Sequence, residues 1–166
     1  DKVFSRIIFC VIQSGTALQD GINIGKYDNT RLDEMINVVR KYGLLSKEHN
    51  GDYMEKAIME DRFNNNLDSL NIAPEVGVFE TKKILELLNQ DDFIKMYNIC
   101  LDSKKWVKWV SKDFKPEENK KKLVEICGHY VFSYPNFLEL KIKLKDIDNL
   151  LKKALYVYFY QKYYYL

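Results

Sequence analysis

Three times in succession a short apolar run, a polar stretch and an amphipathic segment follow one another, and this order restricts the chain to folds built on a parallel sheet. Residues 4–12, FSRIIFCVI, are dense in β-branched and aromatic side chains, as strands buried on both faces are. After a polar loop containing glycine, Asp28 or Asn29 can cap a helix in which Leu32, Met35, Ile36 and Val39 keep helical spacing until Gly43. Leu44 and Leu45 begin a second short strand, and residues 54–64 read as a helix with Ile58, Met59 and Phe63 available for burial. Residues 67–74 form the third strand candidate, with Pro74 near the first turn of the helix EVGVFETKKILELL.

Strands that alternate with helices need right-handed crossovers, so the three loops emerge at one edge of the sheet. In such sheets ligands bind at the C-terminal ends of the strands, where QSGT, EHNGD and NIAPE fall. Several readings stay open at these positions. His49 suits a ligand site, a metal or a hydrogen bond to Asp52 or Glu48. Glu48 and Asp52 suit a general acid/base pair, although capping the next helix is the favoured use of Asp52. Gly15 and Gly51 allow backbone amides to approach a phosphate and are also ordinary turn residues, and Glu75 suits the dipole of the helix it opens.

The pattern changes at residue 91, so residues 1–90 read as the strand–helix part and 91–166 as a helical extension punctuated by Pro116 and Pro135. Its final stretch, ALYVYFYQKYYYL, is aromatic enough to require packing on the domain or on a partner. The KKWVKWVSK segment interleaves lysine with tryptophan, as single-strand nucleic-acid surfaces do, but its apolar residues also keep helical core spacing, the preferred reading. His129 reads as a packed, hydrogen-bonded helical residue. A formal net charge of +2 gives no general electrostatic reason to expect a nucleic acid or an anionic membrane as partner. Cys10, Cys100 and Cys127 lie far apart in apolar settings, which reads as reduced core thiols of a cytoplasmic protein.

In chain order, VIQSGTAL, SKEHNGDYMEKAIMEDRFNNNLDSLNIAPEVGVFETKKILELL and KWVKWVSKDF resemble the accessory, non-catalytic subunit family of D-tagatose-1,6-bisphosphate aldolase, also labelled tagatose 6-phosphate kinases. The likeness continues through HYVFSYP in the helical tail. It implies an α/β fold of class II aldolase type, a (β/α)8 TIM barrel with extra C-terminal helices. A barrel takes roughly 250 residues. On that likeness the chain supplies strands six to eight of a longer protein, followed by the helical extension.

The resemblance further implies carbohydrate metabolism, a phosphorylated sugar as ligand, a catalytic class II aldolase subunit as partner, and an oligomer. In catalytic relatives a histidine ending strand seven binds zinc, and the adjoining glycine loop holds a substrate phosphate. His49 with Asn50 and Gly51 takes that place. Gln13 stands where a further zinc histidine usually ends strand six, so the zinc ligand set is incomplete. Asn71-Ile72 resembles the strand-eight pattern, from which Pro74-Glu75 departs.

The candidate catalytic residues are therefore Glu48, as proton shuttle, and His49, also the candidate metal ligand. The candidate substrate contacts are Gln13, Gly15, Asn50, Gly51, Asn71 and Glu75. Three functions fit: an accessory subunit that stabilises an aldolase, a metal-assisted sugar-phosphate aldolase or lyase, and a non-enzymatic binding module using the Lys/Trp segment and the Tyr-rich end.

Overall fold

The computed structural model describes residues 4–19 and 21–164; Tyr165 and Leu166 of the aromatic end lie outside the described residues. The chain forms two compact units, Asp1–Ala73 with Lys162–Leu166, and Pro74–Gln161.

In the first unit, strand β1 (Phe9–Ile12) is followed by a hairpin, β2 (Leu18–Gln19) with β3 (Ile22–Asn23), and then by helix α1 (Asn29–Lys41). Strand β4 (Leu45–Glu48), helix α2 (Lys56–Asn64) and strand β5 (Ser69–Leu70) complete it. β1, β4 and β5 make one parallel sheet in the order β1-β4-β5. The described residues thus give an α/β unit with a parallel sheet, and not a closed barrel.

The first strand is shorter than its apolar run because residues Phe4–Arg6 wind into a 3-10 turn. Alternation along the sheet then separates two faces. Cys10 and Ile12 join Leu32, Ile36, Val39 and Leu67 in a core beneath the helices. Phe9, Val11 and Leu45 face the other way and are exposed by 41%, 60% and 39%, so among the described residues this face has no apolar cover.

Local chemistry sets the helix ends. Asp28 caps α1, its carboxylate accepting from the Arg31 amide at 3.2 Å. Asp68 ties the exit of α1 to the start of β4. It receives Arg40 Nη2 at 2.7 Å and both the Ser46 amide and hydroxyl at 2.7 Å. Asp52 does not cap α2. The N-cap is Glu55, and Asp52 instead accepts from the Ala73 amide at 2.9 Å. Positive φ of 56° at both Asn50 and Tyr53 turns the loop back toward the end of β5.

The second unit is helical: α3 (Pro74–Leu85), α4 (Gln90–Ser103), α5 (Lys120–Cys127), α6 (Pro135–Ile142) and α7 (Ile147–Tyr163). Helix α3, expected with the strand–helix part, belongs to this unit and packs on α5 and the 3-10 turn Gly128–Val131. Ile84, Met96, Tyr97, Leu123, Val124, Val131 and Phe137 form its core together with the free thiols of Cys100 and Cys127. The Lys/Trp segment is not an α-helix: α4 ends at Lys104, whose φ is 53°, and a 3-10 turn (Val107–Trp109) follows. Trp106 still packs on Phe114 and donates to the Leu101 carbonyl at 3.2 Å, whereas Val107 is exposed. Helix α7 buries Ile147 and Leu151 and leaves Tyr156, Val157, Phe159 and Tyr160 exposed. Among the described residues no helix is long and apolar enough to cross a membrane.

Candidate ligand-binding site at the strand ends

The register of the sheet decides which expected residues meet. Ile12 pairs with Glu48 and Glu48 with Leu70, so the next residues of each strand line, Gln13, His49 and Asn71, form one row across the C-terminal edge. The His49 amide donates to the Ile12 carbonyl and the Asn71 amide to the Glu48 carbonyl, each at 2.9 Å, which extends the ladder into this row. By alternation the three side chains continue the open face of Phe9, Val11 and Leu45. His49 and Gln13 are exposed and Asn71 is half-buried. The Asn71 amide nitrogen lies 3.4 Å from His49 Nδ1, which leaves Nε2 as the outward nitrogen. The Gln13 side chain donates to the Thr16 carbonyl at 3.0 Å.

Glu48 is turned to the opposite, helix-facing side, where it is fully buried. Its carboxylate accepts from the Ser14 amide at 2.7 Å, the Ser14 hydroxyl at 2.6 Å, Thr16 Oγ1 at 3.2 Å and Arg62 Nη2 at 2.8 Å. That network makes Glu48 the anchor of the loop after β1 and does not place a proton shuttle beside His49. Arg62 also donates to Ser14 Oγ and lies over the Tyr27 ring, 5.3 Å from its centre. Burial pushes the Tyr27 hydroxyl up, against the pull of the Arg62 charge.

The remaining expected contacts divide in the same way. Gly15, with φ of 131°, lies so close to the backbone of Lys26 that a Cβ there would sit 2.2 Å from the Lys26 carbonyl oxygen. The close approach is therefore to the chain itself. Gly51 is buried and donates its amide to the Asn71 carbonyl at 2.9 Å. The Asn50 carbonyl accepts from Asn23 Nδ2 at 3.0 Å, and the same amide donates to the Asp52 carbonyl at 2.9 Å. Glu75 belongs to the second unit, where it is buried in the first turn of α3 and accepts from the Tyr158 hydroxyl.

The donor set tests the zinc expectation. Zinc needs at least three His, Cys, Asp or Glu ligands, and no such group comes together among the described residues. His49 has the amides of Gln13 and Asn71 as row neighbours, so these residues do not fit a resident zinc ion and no metal-dependent step follows from them. What the row can do is bind: an imidazole and two amide side chains, all capable of hydrogen bonding, suit the hydroxyl and carbonyl groups of a sugar.

Sequence reasoning passed over two residues that hold the site. Arg62 falls within the Met59 and Phe63 stripe of α2, and a charge inside an apolar stripe signals a buried partner. Asn23 lies in the unanticipated hairpin, whose sequence signal was Asp20-Gly21 between apolar residues.

No protein-family model and no curated protein matches the chain. Among solved structures, a probable tagatose 6 phosphate kinase from Sinorhizobium meliloti 1021 is similar, with a TM-score of 0.60 and 15% identity over 88% of this chain and 41% of that one. At that identity the likeness shows a shared fold, and this chain spans about two fifths of the neighbour's length.

Proposed function

We propose that the chain is the C-terminal part of a (β/α)8 barrel of class II aldolase type and acts in carbohydrate metabolism as the accessory subunit of a tagatose-bisphosphate aldolase. The observation that carries this reading is the row of Gln13, His49 and Asn71 at the C-terminal edge of a parallel sheet on whose same face Phe9, Val11 and Leu45 are exposed. A barrel interior is lined in this way, by layers of side chains from adjacent strands, with its ligand contacts in the topmost layer. The similar fold of the tagatose 6 phosphate kinase structure supports the sugar-phosphate class. The accessory role suits a strand-end row without a metal ligand set and a Glu48 carboxylate held by Arg62 on the other side.

The full-length protein should co-purify with a catalytic class II aldolase and raise the partner's thermal stability. Stability and retro-aldol rate of the partner, measured with and without the protein, decide the matter. No association and no effect on either quantity would overturn the reading.

A further inference from the structure

Cys100 in α4 and Cys127 in α5 lie 27 positions apart in the chain and meet in the core of the second unit, where both are fully buried. Cys127 Sγ lies 3.9 Å from the Cys100 carbonyl oxygen, and the two thiols share a hydrogen bond. Both are free, and α4 packs directly on α5. Contact between the thiols is the first requirement of a disulfide, since cysteines whose side chains diverge cannot be bridged without moving the backbone. The hydrogen bond to Cys127, together with burial, pushes the Cys100 thiol up, so the reactive thiolate is withheld while the core is closed. Residues 104–119, which join α4 to α5, hold no regular element beyond the 3-10 turn Val107–Trp109 among the described residues. A cross-link between the two helices would therefore close a long, irregular loop.

We infer that Cys100 and Cys127 form a peroxide-responsive pair, kept reduced while the core is closed and cross-linking α4 to α5 when opening of the core admits a hydroperoxide. In the first step the thiolate sulfur of one cysteine attacks a peroxide oxygen and the O–O bond breaks. The sulfur becomes a sulfenic acid, and the released hydroxide takes up the proton of the former thiol as water. In the second step the sulfur of the other cysteine attacks the sulfenic sulfur, the S–O bond breaks, and the hydroxyl leaves with the second thiol proton as water. Two thiols and one hydrogen peroxide thus give one disulfide and two waters. The sulfenic sulfur meets a nucleophile already at contact distance, so the disulfide forms before a second peroxide can carry that sulfur on to sulfinic acid. Cys10 belongs to the first unit and takes no part.

Full-length protein treated with hydrogen peroxide, without urea and in urea below the unfolding midpoint, and then mapped by mass spectrometry without reduction, tests the pair. The wild-type protein and Cys10→Ala should both yield peptides joined through Cys100 and Cys127, and the link should form faster in urea. Cys127→Ala, which lacks the second thiol, should instead carry Cys100 through to sulfinic acid. The cross-linked protein should unfold with an equilibrium constant about 100-fold or more below that of the reduced protein, because the bridge closes a long loop in the unfolded chain. Sulfinic acid at Cys100 or Cys127 of the wild-type protein without a cross-link overturns the pair. So does a failure of both thiols to react in urea, or a cross-linked protein no more stable than the reduced one. The cross-link is read in the wild-type protein, so the test holds even if Cys127→Ala does not fold.

Discussion

Arg62 and Glu48 are both fully buried, and Arg62 Nε and Nη1 find no hydrogen-bond partner among the described residues. Their value therefore lies in not leaving either charge alone. Arg62→Met strands the Glu48 carboxylate and should cost about 3–5 kcal/mol in urea unfolding, and adding Glu48→Gln should restore part of that loss. Full additivity of the two changes would show that the pair is not coupled. His129 gives the second residue-scale prediction. Its ring is wedged against Gly77, where a Cβ would meet His129 Cγ at 2.5 Å, and its Nδ1 is buried without a partner, contrary to the expected hydrogen bond. Burial, aided by the Lys108 charge, brings its pKa down from 6.5 to about 4. The unfolded chain then binds the proton more readily, so the stability that neutral His129 supports is present above pH 6.5 and lost as pH falls toward 4. His129→Gln should flatten the fall in urea midpoint between pH 7 and 4.5. An equal fall in both proteins would exclude His129 as its source.

At the scale of elements, the loop after β1 depends on a backbone contact that admits no side chain. Gly15→Ala puts a methyl into the Lys26 carbonyl at a φ of 131°, and both strain and overlap oppose it. The expected cost is about 2–4 kcal/mol, read from the urea midpoint, and a neutral result would mean that the loop yields without penalty. Elements with a strong local signal were legible in the sequence. Asp28 with the Leu32, Ile36 and Val39 stripe marked α1, a run dense in β-branched and aromatic residues marked β1, and Leu44-Leu45 marked the start of β4. Elements decided by distant partners were not. Asp52 looks like a cap until Ala73 competes for its carboxylate, and Trp106 to Val110 keep helical spacing although Lys104 turns left-handed before them. The row of Gln13, His49 and Asn71 was readable because parallel strands bring their C-terminal ends together, whereas the side on which Glu48 falls follows from register.

For the whole molecule, β4 has a parallel partner on each side, but β1 and β5 each have only one among the described residues. The Ile12 carbonyl points toward β4, which turns the amides and carbonyls of Phe9 and Val11 to the free edge of β1. With Ile8, Phe9 and Val11 exposed beside that edge, the 166-residue chain should self-associate. Sedimentation velocity across a concentration series checks this, and Val11→Lys should shift the distribution toward monomer. A monomer at every concentration would show that the edge is harmless. The buried charge network has a further consequence in time. Glu48 takes its contacts from Ser14, 34 positions earlier, and from Arg62, 14 positions later, so three separate stretches must be in place before the carboxylate leaves water. A contact with such requirements is expected to form late, on the native side of the folding barrier. Arg62→Met should accordingly leave the refolding rate nearly unchanged and show its cost as faster unfolding in stopped-flow chevrons, which makes the pair a determinant of how long the native state lasts once reached.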